Sequence, residues 1–163
     1  MNSAFPKFQK IINNRIKFRF FTMQKLPAAW IAGLRMQKFE AEEAIVTVTH
    51  RWLNQNPFQS MYFAVQSMAA EMSTGMLAFG QIYERNPSVS MLVVGMEAKF
   101  HKKAVGKISF TCKDGNQISE AVDLALSSGE GQTIRCYSIG VNQHGEMVAE
   151  FWFTWSFKAK AKK

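Results

Sequence analysis

Glu71 is the one charged side chain among the thirty-two residues between Arg51 and Glu84. It lies in MAAEMSTG, inside a stretch from about Ser60 to Tyr83 that lacks Pro and is rich in Ala and Met. That composition predicts a helix. A helix without a polar face is expected to be buried nearly all round. A carboxylate at its middle must then be paired, protonated or open to a cavity, because burying it alone is costly. Open to a cavity, it is the acid of a functional centre, suited to act as general base or nucleophile. The plainer alternative is a structural Glu bonded to Ser67, to Thr74 or to a Lys from elsewhere.

Other reactive residue types form no comparable constellation. Cys112 and Cys136 are far apart, and no further Cys or nearby His completes a metal-ligand pattern. Two reduced thiols in a cytoplasmic protein are the expectation, with no metal and no cofactor. The N-terminus has no continuous apolar h-region, so no signal peptide is expected. No uncharged stretch has the length and hydrophobicity of a membrane span.

The elements that must hold Glu71 follow from periodicity. Phe5, Phe8, Ile12 and Ile16 fall at helical spacing with Lys7, Lys10, Arg15 and Lys17 between them, which predicts an amphipathic basic helix. It reads either as a flap packed on the domain or as a contact for a membrane surface. PAAWIAG (27–33) predicts a short helix, with Pro in its first turn and Gly at its end. LRMQKFE (34–40) and AIVTVTH (44–50) alternate as strands around a polar turn. SVSMLVVGMEAKFH (88–101) predicts a long strand, bent or bulged at Gly95. KISFTC (107–112) is the next strand, and a helical insertion follows, with Ile118, Ala121, Val122, Leu124 and Leu126 on its apolar face. TIRCYSIGV (133–141) and EMVAEFWFTWSF (146–157) predict a closing hairpin. Runs of strands with one dominant helix make an α+β domain.

Composition sets the bounds. The 163 residues suit one domain, and 47% apolar content, with fourteen Phe and ten Met, supports a real core. The net charge of +8 is uneven: residues 1–39 carry eight Lys or Arg and no acid, and the rest of the chain is neutral. A neutral body argues against a nucleic-acid domain. The expected organisation is a basic helical extension over 1–25, the domain over 26–157, and a basic tail over 158–163 with Lys158, Lys160, Lys162 and Lys163.

The order of strand, strand, buried helix and four strands resembles the hotdog-fold acyl-CoA thioesterases. The markers are NPFQSMYFAVQSMAAEMSTG, AKFHKKAVGKISFTC and GEMVAEFWFTWSF, and the likeness covers about Leu26 to Phe157. The nearest branch is the phenylacetate-degradation thioesterase type, and within it the chain most resembles a bacterial family of uncharacterised hotdog proteins. The resemblance implies a curved antiparallel sheet of about six strands wrapped around one long central helix. It also implies a homodimer, or a dimer of such dimers, with sites at the dimer interface.

The thioesterase pattern has an Asn, a His-Gly-Gly six residues later, and an Asp fifteen residues after the Asn. Asn56 and Glu71 match its first and last positions, while Tyr62, Phe63 and Ala64 replace His-Gly-Gly. The implied catalytic set is Glu71, Asn56 and Tyr62. Backbone N–H groups near Tyr62 and Phe63 would hold the thioester carbonyl at the positive end of the helix. Asn56 would orient water or carbonyl, or else serve only its loop. Phe63, Ala64 and Ser67 would line the substrate site. Lys102 and Lys103 would meet the phosphates of coenzyme A, itself part of the substrate. Hotdog dehydratases need a paired His, and His50, His101 and His144 match none of their motifs. The expected function is hydrolysis or binding of an acyl or aryl thioester. The alternatives are a non-catalytic acyl- or lipid-binding hotdog protein and a membrane-peripheral interaction protein.

Overall fold

The computed structural model of the chain describes residues 2–160. Three helices open it: α1 (Phe5–Ile12), α2 (Arg15–Lys25) and α3 (Pro27–Ala32). Strands β1 (Arg35–Phe39) and β2 (Ala44–Thr49) precede the long helix α4 (Phe63–Ile82). Then come β3 (Val89–Phe100), β4 (Lys107–Cys112), α5 (Gly115–Ser128), β5 (Gln132–Asn142) and β6 (Met147–Ala159). The strands form one sheet in the order β1-β2-β4-β5-β6-β3, and every neighbouring pair is antiparallel. This α+β sheet curves around α4, as the hotdog resemblance implies.

Alternation along the strands makes the concave face apolar. β6 buries Phe151, Phe153, Trp155 and Phe157, β4 buries Ile108, Phe110 and Cys112, and β2 buries Ala44, Val46 and Val48. Each large side chain buried there contributes about 1.5–3 kcal/mol. Against them α4 presents Ala69, Ala70, Ser73, Leu77 and Ala78, all fully buried. Its polar atoms there are satisfied: Ser73 Oγ pairs with Ser138 Oγ at 2.8 Å, and Trp155 Nε1 donates to Thr74 Oγ1 at 2.9 Å. The register between β3 and β6 shifts between Val93 and Gly95, so the expected irregularity at Gly95 is present.

The N-terminal segment differs from a single amphipathic helix. It breaks at Asn13 and Asn14, where the Asn14 side chain accepts from the Ile16 and Lys17 amides and starts a second helix. The break turns Ile16 outward, 69% exposed, while Phe5, Phe8, Ile12 and Phe18 are buried. α1 seats on α4 because residue 80 is glycine: a Cβ there would lie 2.5 Å from the Phe5 ring. Asn2 Nδ2 donates to the carbonyls of Gly80 and Tyr83, closing the C-terminal end of α4. At the other terminus β6 runs through Ala159 and so includes Lys158. Lys162 and Lys163 lie outside the described residues. Among the described residues no helix is long and apolar enough to cross a membrane.

Candidate functional site

α4 carries two separate sites, one at its start and one at its middle. Glu71 occupies the middle. The expected structural partners are engaged elsewhere: Ser67 Oγ donates to the Phe63 carbonyl, and Thr74 Oγ1 donates to the backbone carbonyl of Glu71. Among the described residues no side chain or amide hydrogen-bonds the Glu71 carboxylate, and no cation pairs with it. Burial alone pushes its pKa up, to about 7.

The carboxylate opens onto an apolar cavity of about 280 Å³ between α2, α4 and β3, walled chiefly by Phe21, Met72, Met76, Phe79 and Met91. A second lobe of about 260 Å³ continues past Leu26 and Met68. Lys25 borders both. Gly75, one turn along, leaves room for the carboxylate: a Cβ there would lie 2.8 Å from Glu71 Oε1 and 3.1 Å from the Trp155 ring. A carboxyl in such surroundings titrates near neutrality and can both take and return a proton at ordinary pH.

The second site is a cleft of about 510 Å³ at the start of α4, lined by Asn56, Tyr62, Phe63, Phe100, Lys102 and Lys103 among others. The Tyr62 N–H donates to the Asn54 carbonyl and is not free. The N–H groups of Phe63 and Ala64 have no acceptor among the described residues, so the first turn offers two donors at the positive helix end. Tyr62 packs edge-on against Phe63 at 4.9 Å, and both rings are exposed. Asn56 serves its loop: its oxygen accepts from the Phe58 and Ser60 amides, and its Nδ2 donates to Ser60 Oγ. Lys102 is ion-paired with Glu146, and Lys103 Nζ donates to the Phe58 carbonyl.

The structure therefore gathers Asn56, Tyr62, Phe63, Lys102 and Lys103 and holds Glu71 apart from them. Phe63 and Glu71 are separated by about 12 Å at the helical rise of about 1.5 Å per residue. Ala64 and Ser67 lie between, half-buried, and line neither cavity. Sequence reasoning missed Gln66, which is buried at the cleft, donates from Nε2 to the Met61 carbonyl and leaves Oε1 without a partner. It also missed the α2 wall of the Glu71 cavity. Gly75 was legible in principle, since a residue four positions on shares a helix face with Glu71. Cys112 and Cys136 are free and buried, and burial pushes both thiols up, Cys136 to about 12, which leaves them unreactive. Among the described residues no cluster of His, Cys, Asp and Glu is placed to hold a metal ion.

Comparison with known proteins adds the fold and the family. A Pseudomonas aeruginosa protein of unknown function, described as a probable thioesterase, superposes with a TM-score of 0.75 at 22% identity, over 87% of this chain and 93% of that one. A protein of unknown function from Chlorobaculum tepidum gives 0.73 at 16% identity, over 96% and 95%. A Haemophilus influenzae thioesterase gives 0.66 at 11% identity, over 91% and 93%. At these identities the likeness establishes the hotdog fold and nothing finer. No curated protein matches the chain in sequence. The model of the family described as Domain of unknown function (DUF4442) matches residues 14–156, nearly the whole chain, and the protein belongs to that family.

Proposed function

We propose that the protein hydrolyses an acyl or aryl thioester, with coenzyme A as the carrier and Glu71 as the reacting acid. The observation that carries this reading is an unpartnered carboxylate in an apolar cavity, its pKa raised to about 7 by burial. As a general base, Glu71 takes a proton from water while the oxygen attacks the thioester carbonyl. The C–S bond then breaks, the thiolate leaves with a proton, and a carboxylic acid remains. As a nucleophile, the carboxylate attacks the carbonyl itself, the thiolate leaves, and water cleaves the resulting anhydride. In either route the developing oxyanion needs donors, and the free N–H groups of Phe63 and Ala64 suit that task.

Those donors lie too far from Glu71 along one helix to share a substrate carbonyl with it. The proposed enzyme is therefore a homodimer, or a dimer of dimers, in which the helix start of one protomer faces Glu71 of the other. β3 supports this assembly. It is an edge strand of twelve residues, and it exposes Leu92, Val94, Met96 and Phe100, an edge that a second copy would cover. The resemblance to the phenylacetate-degradation type of hotdog thioesterase supports an acyl or aryl thioester as the substrate class.

A second reading has its own support. Phe63 stands at a glycine position of the thioesterase pattern, half exposed in the cleft, and Asn56 is committed to its loop. These features suit an acyl-binding protein without turnover. A hydrolysis screen over aryl and short-to-long acyl-CoA substrates, with Glu71→Gln as control, separates the two. Turnover lost in the variant supports the enzyme. Acyl-CoA binding without turnover in either protein supports the binder.

A further inference from the structure

Helix α2 carries an apolar stripe that the fold does not use. Phe18 and Thr22 face the interior and are buried. Ile16, Phe20 and Met23 recur at the i, i+4, i+7 spacing of a single face and are 69%, 57% and 42% exposed. Arg15 and Arg19 flank this stripe on one side and Lys17 on the other, by the helical period. Ile31 on the adjoining α3 is exposed as well. An amphipathic helix with cations beside an outward apolar face is the pattern of a segment that lies in a membrane interface.

An independent observation points to the same occupant. Arg15 and Arg19 meet Arg35 of β1 and Lys107 of β4 around a cavity of about 360 Å³, with amide and hydroxyl side chains between them and no carboxylate. Arg19 is held over the Trp30 ring at 4.8 Å, and Lys107 Nζ donates to Gln37 Oε1. Among the described residues none of the three arginines has an acidic partner. Guanidinium groups that line one cleft without acidic partners favour an anion there, and their fork geometry matches a phosphate.

We propose that this face docks on an anionic phospholipid bilayer. Ile16, Phe20 and Met23 enter the interface, and the Arg15–Arg19–Arg35 cleft receives a lipid phosphate. The lipid surface is the occupant because it alone offers an apolar layer beneath an anionic plane. Nucleic acid has no such layer. A second copy of the same face would set cations against cations. The opposite flank of α2, through Phe21 and Lys25, walls the Glu71 cavity, so docking leaves that cavity on the side turned away from the lipid. The docking surface stands whether or not Glu71 hydrolyses anything.

The test is co-sedimentation of the full chain with phosphatidylcholine vesicles and with mixed phosphatidylcholine–phosphatidylglycerol vesicles, at low and high salt. Binding only to the anionic vesicles and release by salt are expected. Phe20→Glu and the double variant Arg15→Ser/Arg35→Ser should each weaken vesicle binding by at least about tenfold, with unchanged circular dichroism. Glycerol phosphate as soluble competitor should displace little, because it lacks the apolar contacts. Absence of binding to anionic vesicles overturns the proposal, as does binding indifferent to both variants. A change of oligomeric state in Phe20→Glu without loss of vesicle binding overturns it in favour of a second copy. Tight glycerol phosphate binding without vesicle binding overturns it in favour of a free-anion site.

Discussion

The Glu71 carboxylate occupies space that any side chain at residue 75 would claim: a Cβ on Gly75 would lie 2.8 Å from Oε1 and 3.1 Å from the Trp155 ring. Gly75→Ala must therefore move either the carboxylate or the indole. In a helix interior Ala is favoured over Gly by about 1 kcal/mol, which offsets the cost of the contact. We expect Gly75→Ala to keep its thermal stability within a few degrees and to lose at least about tenfold in kcat/KM. A calorimetric scan beside a kinetic assay checks both, and a large fall in Tm with normal kinetics would refute the placement.

Glu71 also sets a pH dependence of stability. Its folded pKa is raised from 4.5 to about 7 by burial, so between those values the folded state holds a proton that the unfolded chain has lost. Stability attributable to this group falls as pH rises through that window. Glu71→Gln removes the penalty. The variant should match the wild type below about pH 4.5 and exceed it above pH 7, by at most roughly 3–4 kcal/mol at about 1.4 kcal/mol per unit. Urea unfolding at pH 5 and pH 8, at fixed protein concentration, measures the difference. A variant less stable than wild type at pH 8 would mean that the carboxylate has a stabilising partner.

The N-terminal helices contribute to the core. Phe8 is 1% exposed and packs on Phe21, Phe39, Phe79 and Tyr83. Phe8→Ala should cost about 3–5 kcal/mol, and removal of residues 2–13 should lower Tm further. Chemical denaturation of both variants is the check, and an unchanged midpoint after truncation would show that the segment is a dispensable flap.

The β3 edge predicts the assembly. Replacing Leu92 and Met96, both more than half exposed on that strand, by Lys should convert a dimer to a monomer at micromolar concentration. Light scattering reports the mass. A wild type that is already monomeric would remove the shared site.

Much of the fold was legible because it is periodic. Alternation gave the six strands, the near-absence of charge gave α4, and Gly95 marked the irregularity in β3. The break between α1 and α2 was less visible, because Phe5, Phe8, Ile12 and Ile16 keep a helical period across it. Only the capping by Asn14 sends Ile16 outward. At the site, the type and setting of Glu71 could be read, since its isolation is a local property of the sequence. The walls of its cavity could not, because Phe21 and Lys25 arrive from a helix some fifty residues away. The separation of Glu71 from the helix start followed from their spacing, and within one chain Asn56 and Tyr62 line the cleft at the start of α4 while Glu71 lines the cavity at its middle. The loop hydrogen bonds of Asn56 were not visible either, because they depend on the backbone geometry of the Asn-Pro-Phe-Gln-Ser turn.

The most direct test is the pH dependence of kcat/KM for the best substrate of the acyl-CoA screen, measured for wild type and Glu71→Gln. A carboxylate base with a pKa near 7 predicts activity that rises through about pH 7 and then levels. Glu71→Gln should be at least about a hundredfold slower, with that inflection gone. Turnover of equal size in the variant, with the inflection intact, would contradict the assignment of Glu71 as the reacting acid.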